Sequence, residues 1–468
     1  MIRNKSYPVI ENIEITDIAA EGNAIAHVDG KVLFVPKAIP GDIVDVQIRR
    51  KRKSYMEGTI VALKKKSDQR VNPFCAHFGT CGGCTWQHLP YAEQLRYKQK
   101  QVIDNFQRIG KTEIGEIIPI LPSEKTMYYR NKLEYTFSNK RWLTEEEIAT
   151  GAIIDPQPAL GFHIPGMFDK VFPVEECFHQ PDPSNQIRLT VKDYAIENNL
   201  DFFDIRGKKG FLRTLIIRDT ANGEVMVILA MFYEDKEKRE KLLDYLKNKF
   251  PSLTSLQYVI NPKLNDTLTD LKIITYFGRD YIMEEMEDLK FRIGAKSFYQ
   301  TNSHQAYRLY CIARDFAGLK ANDIAYDLYT GTGTIANFLA RQCKKVIGIE
   351  YVPEAIDDAK INSQINNINN TLFFAGDMKD VLTESFVNQY GHPDVLILDP
   401  PRSGVHEKVI DTIKYANPDR LVYISCNTAT QARDINLLSS VYKVSRVQPV
   451  DMFPHTFHVE NVALLEKK

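Results

Sequence analysis

The sequence predicts a chain of three parts: a small N-terminal β-barrel, an α+β middle region, and a C-terminal α/β unit on a doubly wound parallel sheet. Three observations predict it. Residues 1–66 alternate in short apolar runs separated by turn residues. From about residue 294 onward, apolar strands alternate with helices. The length, 468 residues, amounts to about three domains of roughly 150 residues each. With 44% apolar and 26% charged residues the chain has the balance of a folded globular protein, which excludes a mostly disordered or fibrous one.

The barrel is read from five short strands, at 9–15, 24–28, 31–35, 43–48 and 58–63. Glu21-Gly22-Asn23, Asp29-Gly30 and Pro40-Gly41-Asp42 separate them, and Asp29-Gly30 between two apolar runs is a strong hairpin signal. Five such strands suggest an OB-like barrel. The basic run Arg49-Arg50-Lys51-Arg52-Lys53 is expected to be the loop between its last strands. Residues 37–70 hold ten Lys and Arg against four Asp and Glu, a net of +6 in a chain whose total is zero. Such asymmetry points to a local anion-binding surface. A helix is expected over 91–109. Residues 127–290 mix strands at 133–137, 214–218 and 225–232 with one polar helix at 235–249.

In the C-terminal part, strands at 324–328, 345–349, 371–374, 394–398 and 421–425 each precede a helix, the signature of a parallel doubly wound sheet. Residues 442–450 and 458–465 read as a terminal hairpin. The expected division is 1–66, 67–293 and 294–468. No run approaches the roughly 18 apolar residues of a membrane helix, and the N-terminus has a basic start without an apolar stretch behind it. A cytoplasmic protein with no membrane partner is expected. Its seven cysteines, odd in number and partly clustered, read as metal or catalytic chemistry before disulfides.

Ligands of such sheets sit at the carboxyl ends of the strands, and the motifs fall there. The first strand of the C-terminal unit runs into Tyr329-Thr330-Gly331-Thr332-Gly333-Thr334 and a helix. The glycines allow a tight turn and close backbone approach. The second strand ends at Glu350, where a carboxylate can accept both hydroxyls of a ribose. The third glycine of a dinucleotide fingerprint is absent. A shortened loop with an acid closing strand two fits S-adenosylmethionine better. Asp377, after the third strand, stands where an acceptor for the adenine amino group would sit.

Asp399-Pro400-Pro401-Arg402 follows the fourth strand. Methyltransferases acting on amino groups carry a similar motif ending in an aromatic residue, so Arg402 argues against amino methylation. Cys426 ends the fifth strand, and Phe453-Pro454-His455-Thr456-Phe457-His458-Val459-Glu460 supplies a carboxylate at the start of the last. A thiolate and a carboxylate base beside S-adenosylmethionine suit methylation at carbon 5 of uracil. Carbon 5 is too weak a nucleophile unaided; thiolate addition at carbon 6 makes an enolate that activates it. A base must then remove the carbon 5 proton so that the thiol can leave.

Cys75, Cys81 and Cys84 lie within ten residues, with Gly82-Gly83 between the last two. Cys177 is the best fourth ligand for a tetrathiolate site, which suits zinc or an iron–sulfur cluster; spacing leaves both open.

With these motifs in order, the chain resembles the RNA uracil-5-methyltransferase family over essentially its whole length, particularly the ribosomal-RNA branch. The resemblance implies a TRAM domain, an RNA-binding OB variant, at the N-terminus. It implies a 4Fe–4S cluster on Cys75, Cys81, Cys84 and Cys177. Ser297-Phe298-Tyr299-Gln300 is similar to the family's Ser-Phe-Phe-Gln, which carries Gln300 over as a cofactor contact. Tyr329, Glu350 and Asp399 match other cofactor-pocket positions, Cys426 the nucleophile and Glu460 the base. Residues 91–110 are implied to pack on the catalytic unit. Thr334 and Thr428 depart from the usual Asn and Pro, which could alter cofactor contacts. Family members acting on transfer RNA commonly lack both barrel and cluster, so ribosomal RNA is the expected partner and transfer RNA the runner-up, for a monomer. Tyr129, Arg130 and Lys132 are candidates for stacking and charge against RNA.

Overall fold

The computed structural model describes residues 7–151, 157–167 and 169–468. Its N-terminal barrel has six strands: Val9–Glu14, Asp17–Ile18, Ala24–Val28, Lys31–Val35, Ile43–Lys51 and Tyr55–Lys65. Ala24, Ala26, Leu33, Val35, Val44 and Val46 alternate inward to form its core, as a period of two requires. Asp29 and Gly30 both take positive φ, 50° and 72°, the backbone of a tight hairpin turn. The basic run differs from expectation. It is not a loop of its own: Arg50 pairs with Glu57 and Lys51 with Met56, so Arg49–Lys51 is the end of one strand in a long hairpin. The ladder hydrogen bonds continue past the point where one face stops being apolar.

Residues 66–90, which carry Cys75, Cys81 and Cys84, contain no helix or strand. Next comes the helix Tyr91–Asn105, closed by a wider turn over Phe106–Gly110. It packs on the C-terminal unit: Val102 and Phe106 are fully buried in that unit's core. Gly110 lies against the helix Thr428–Leu438, where a Cβ would come within 3.2 Å of the Ala432 carbonyl. The strand Ile114–Ile117 then pairs with Tyr442–Val450 at the edge of the C-terminal sheet. The division at 293 therefore separates this strand from its sheet; four mostly exposed residues give too little periodicity to reveal it.

The middle region is a seven-stranded mixed sheet centred on Lys132–Ser138, Leu212–Asp219 and Val225–Met231. The helices Ser184–Glu197 and Lys236–Lys249 pack with it through Ile187, Val191, Leu242, Leu243 and Leu246. The first of these helices escaped the sequence reading, since its apolar positions are diluted by Asn, Gln, Lys and Asp.

The C-terminal sheet has Ile324–Leu328 and Val395–Leu398 at its centre. Lys345–Glu350 and Thr371–Ala375 lie on one side; Arg420–Ser425, Glu460–Lys467 and Tyr442–Val450 follow on the other. The first five are parallel and the last strand inserts antiparallel beside Arg420–Ser425. This insertion brings the start of Glu460–Lys467 next to the end of Arg420–Ser425, with Ser425 opposite Asn461. Two apolar cores cover the two faces of the sheet.

The loop 451–459, which leads into Glu460, is where all parts of the chain meet. Lys98 and Asp451 form an ion pair at 2.5 Å with both side chains 0% exposed. Tyr91 donates to Asp451 and Lys98 to the Phe453 carbonyl. Tyr129 donates to the Pro454 carbonyl. The backbone N–H groups of Thr85 and Trp86 donate to the His455 carbonyl. From the barrel, Ile18 and Ile39 pack with Trp86, Leu89, Tyr97 and Phe457. No helix among the described residues is long and apolar enough to cross a membrane.

Candidate active site

One cavity of about 850 Å³ opens at the carboxyl ends of the parallel strands. Gln300, Tyr329, Glu350, Asp377, Asp399, Cys426 and Glu460 all line it. The fold delivers them from seven segments, which places the sequence-predicted set in one chamber.

The glycine loop is shaped for close approach. Tyr329, Gly331 and Gly333 have positive φ of 67°, 54° and 74°. A Cβ on Gly333 would meet Ala359 at 2.8 Å, so that turn requires glycine. Glu350 faces the loop: its carboxylate accepts from the N–H of Gly331 at 3.2 Å and of Val352 at 3.0 Å. Gln300 is fixed through its carbonyl, which accepts from the Asn131 side chain at 2.9 Å. Asp377 lines the cavity but caps the short helix Met378–Val381 and pairs with Lys379, which holds its carboxyl below the usual range. Its carboxylate is already engaged at both oxygens. Thr428 does not face this chamber: its hydroxyl accepts from Asn105, tying Tyr91–Asn105 to the catalytic sheet.

The reacting end is crowded with acids. Asp327, Asp399 and Glu460 stand close enough to repel one another in turn. Burial and then Asp327 push Asp399 up to about 7. Burial and then Asp399 push Glu460 up to about 8, against the opposing charge of Arg402. Glu460 is 4% exposed, and among the described residues its carboxyl makes no hydrogen bond, so it is free to act on a bound group. A carboxyl titrating near neutrality is suited to take up and release a proton. Burial and Glu460 raise the Cys426 thiol, and the Arg402 guanidinium opposes them by hydrogen bond and charge.

Sequence reasoning passed over three residues here. In the sequence, Arg402 stands out only for the aromatic it replaces. Phe453 lines the chamber, and His458 holds Arg402 at 2.8 Å. All three lie inside motifs that the sequence displays; what was missing was which neighbours they meet. Tyr129 is a correction. It is 5% exposed and hydrogen-bonded to Pro454, so it offers no ring to an RNA base. Lys132 is tied to Glu134.

A second, smaller cavity is lined by Cys75, Cys81, Cys84 and Cys177, with Phe74, Phe178, His179 and His455 around them. All four thiols are free. Burial raises each of them, Cys84 to about 12 and Cys177 to about 11. His179 Nε2 lies 3.2 Å from Cys84 Sγ. Among the described residues, no three His, Cys, Asp or Glu side chains are grouped so as to hold a single metal ion.

Comparison with known proteins agrees with this geometry. A family model for tRNA (uracil-5-)-methyltransferase matches residues 220–468, and one for the TRAM domain matches residues 10–61. An uncharacterized RNA methyltransferase of Bacteroides thetaiotaomicron is 59% identical, over 96% of this chain and 100% of its own. One from Porphyromonas gingivalis is 57% identical over 97% and 99%. Among solved structures, the Pyrococcus abyssi tRNA (uracil-54, C5)-methyltransferase in complex with S-adenosyl-L-homocysteine superimposes with a TM-score of 0.75. It is 27% identical, and the match covers 97% of this chain and 100% of that one. The TRAM barrel, the shared chamber and the match along nearly the whole length lead to one conclusion: this chain is an RNA methyltransferase belonging to the tRNA (uracil-5-)-methyltransferase family.

Proposed function

We propose that the chain transfers a methyl group from S-adenosylmethionine to carbon 5 of a uridine in 23S ribosomal RNA, through a covalent adduct with Cys426. The observation that carries this is the meeting of Cys426 and the unpartnered Glu460 in the chamber that also holds the glycine loop and Glu350. Glu350 would bind the ribose hydroxyls, Gln300 and Tyr329 the rest of the cofactor, Asp377 the adenine amino group through lone pairs that its two Lys379 contacts leave open, and Asp399 the uracil edge. Cys426 sulfur adds to carbon 6 and the electron pair moves to the carbonyl as an enolate. Carbon 5 then takes the methyl group from the sulfonium. Glu460 removes the carbon 5 proton, and the thiolate leaves as the double bond reforms. The target base must be flipped from its stack to enter.

Cys426→Ala should lower methyl transfer at least about a thousandfold while cofactor binding persists. Retained turnover would overturn the covalent route. Glu460→Gln should accumulate the protein–RNA adduct, visible as a retarded band on a denaturing gel.

A second reading, the same chemistry on transfer RNA, has an observation of its own. The Pyrococcus abyssi enzyme, named for transfer RNA, matches 97% of this chain. That span reaches the barrel and the cysteine segment, whose presence favoured ribosomal RNA. Assay of both purified RNAs side by side with labelled cofactor separates the readings.

The second cavity is read as the place of a 4Fe–4S cluster: four free thiols line one space, and tetrathiolate sets suit such clusters. Cys75, Cys81, Cys84 and Cys177 would hold the cluster, which would supply a cross-link between loop 66–90 and the middle sheet. Purified protein should carry iron and acid-labile sulfide. Cys81→Ser should lose both and lower thermal stability and RNA affinity; full iron content in that variant would remove Cys81 from the ligand set.

A further inference from the structure

The Arg402 guanidinium lines the chamber with Cys426, whose ionisation it favours, and, among the described residues, forms no ion pair with a carboxylate. Its backbone is pinned: the Arg402 carbonyl accepts from the Asn427 side chain at 2.9 Å and the Thr430 hydroxyl at 3.2 Å. The side chain itself is exposed on one flank and reaches across to the loop 451–459. There its Nη2 meets His458 Nδ1 at 2.8 Å. A guanidinium has no acceptor, so Nδ1 accepts and the ring carries its proton on Nε2. The imidazole is itself held, with its ring 4.2 Å from that of Phe457 and 6.3 Å from that of Phe453. The backbone N–H of His458 donates to Thr456 Oγ1, which fixes the residue at its root.

We infer that His458 is a positioning residue for the nucleophile: as a neutral acceptor it holds the Arg402 guanidinium against Cys426, where the positive charge stabilises the thiolate. This rests on the reading of Cys426 as the nucleophile. The groups facing the thiol are Glu460, Asp399 and Arg402. Both carboxyls oppose ionisation, and the guanidinium alone favours it. The groups facing the imidazole are Arg402, Lys98 and Arg130, all cations, and together with burial they keep the ring neutral. A neutral ring serves the role, because a protonated one would repel the guanidinium it must hold. The thiol proton leaves to solvent, and the thiolate that remains is matched by the guanidinium until it attacks.

The test is alkylation of Cys426 in the intact protein by iodoacetamide, followed across pH by mass spectrometry of the Cys426 peptide. It needs neither RNA nor methyl transfer, so its outcome is separate from that of Cys426→Ala turnover. His458→Ala should move the titration midpoint upward, and the rate at neutral pH should fall about tenfold for each unit moved. His458→Asn, whose carbonyl can replace Nδ1 as acceptor, should restore the wild-type profile. Arg402→Gln should show the same upward shift, and adding His458→Ala to it should add nothing further. A His458→Ala profile that superimposes on wild type overturns the proposal. So does an equal shift in His458→Asn, or additive shifts in the double variant. If His458→Ala does not fold, the comparison of His458→Asn with Arg402→Gln decides: wild-type behaviour in the first with a shift in the second supports the proposal, and a shift in both overturns it.

Discussion

Glu460 is raised to about 8 by burial and by Asp399, from an ordinary value of 4.5. Its protonated form is therefore favoured by the fold. The stability this gives is full below about pH 4.5 and is lost as pH rises through 8. Asp399, raised to about 7, acts in the same direction. The thermal midpoint of the free protein should fall between pH 5 and pH 9. In Glu460→Gln the fall should be smaller by a few degrees. Equal falls would mean that the Glu460 carboxyl is better solvated than its burial implies. The site thus carries a built-in cost: three acids are gathered for chemistry, not for stability.

At the scale of elements, the helix Tyr91–Asn105 holds the loop that ends in Glu460. Lys98 and Asp451 lie 353 residues apart in sequence and meet with no exposed surface. Breaking one partner of a buried pair strands the other, which costs about 3–5 kcal/mol. Lys98→Met should lower stability by about that amount in denaturant titration. It should also lower methyl transfer more than cofactor affinity, because the Phe453 carbonyl that Lys98 binds lies seven residues before Glu460. The wide closing turn and the strand Ile114–Ile117 continue this attachment, so that residues 91–117 serve the catalytic sheet although the cysteine segment and the middle sheet flank them in sequence.

At the scale of the molecule, the barrel is docked rather than tethered. Gly22 has φ of +79°, its carbonyl accepts from Trp86, and a Cβ there would meet Phe457 at 2.9 Å. Phe457 in turn lies against the His458 ring, 4.2 Å away and tilted by 42°. The barrel therefore presents its basic hairpin in a fixed relation to the chamber. Arg49, Arg50, Lys51, Arg52 and Lys53 at the hairpin end are exposed. Replacing Lys51, Arg52 and Lys53 by Ser should weaken binding of any RNA. The slope of log affinity against log salt should become shallower by about 0.7–0.9 for each phosphate that these side chains neutralise. Turnover at saturating RNA should be kept, because phosphate contacts position without reading sequence. An unchanged slope would place the RNA path elsewhere on the molecule.

Most elements of the barrel and the C-terminal sheet are legible in the sequence, because a half-buried strand and an amphipathic helix write their periods locally. It also marked the chemistry: an acid ending strand two, Asp399 after strand four, Cys426 after strand five and a carboxylate opening the last strand. It lost the edge strand Ile114–Ile117 and the helix Ser184–Glu197, where few apolar positions or many polar ones blur the period. Which distant residues meet is set by the fold. The pairing of Lys98 with Asp451 and of His458 with Arg402 carries no local signature, whereas Cys177 is already grouped with the three earlier cysteines from sequence, and all four line one cavity. Such meetings arise because buried polar groups must find partners among whatever the folded chain brings near them, and that neighbourhood is a property of the sheet order and not of spacing along the chain.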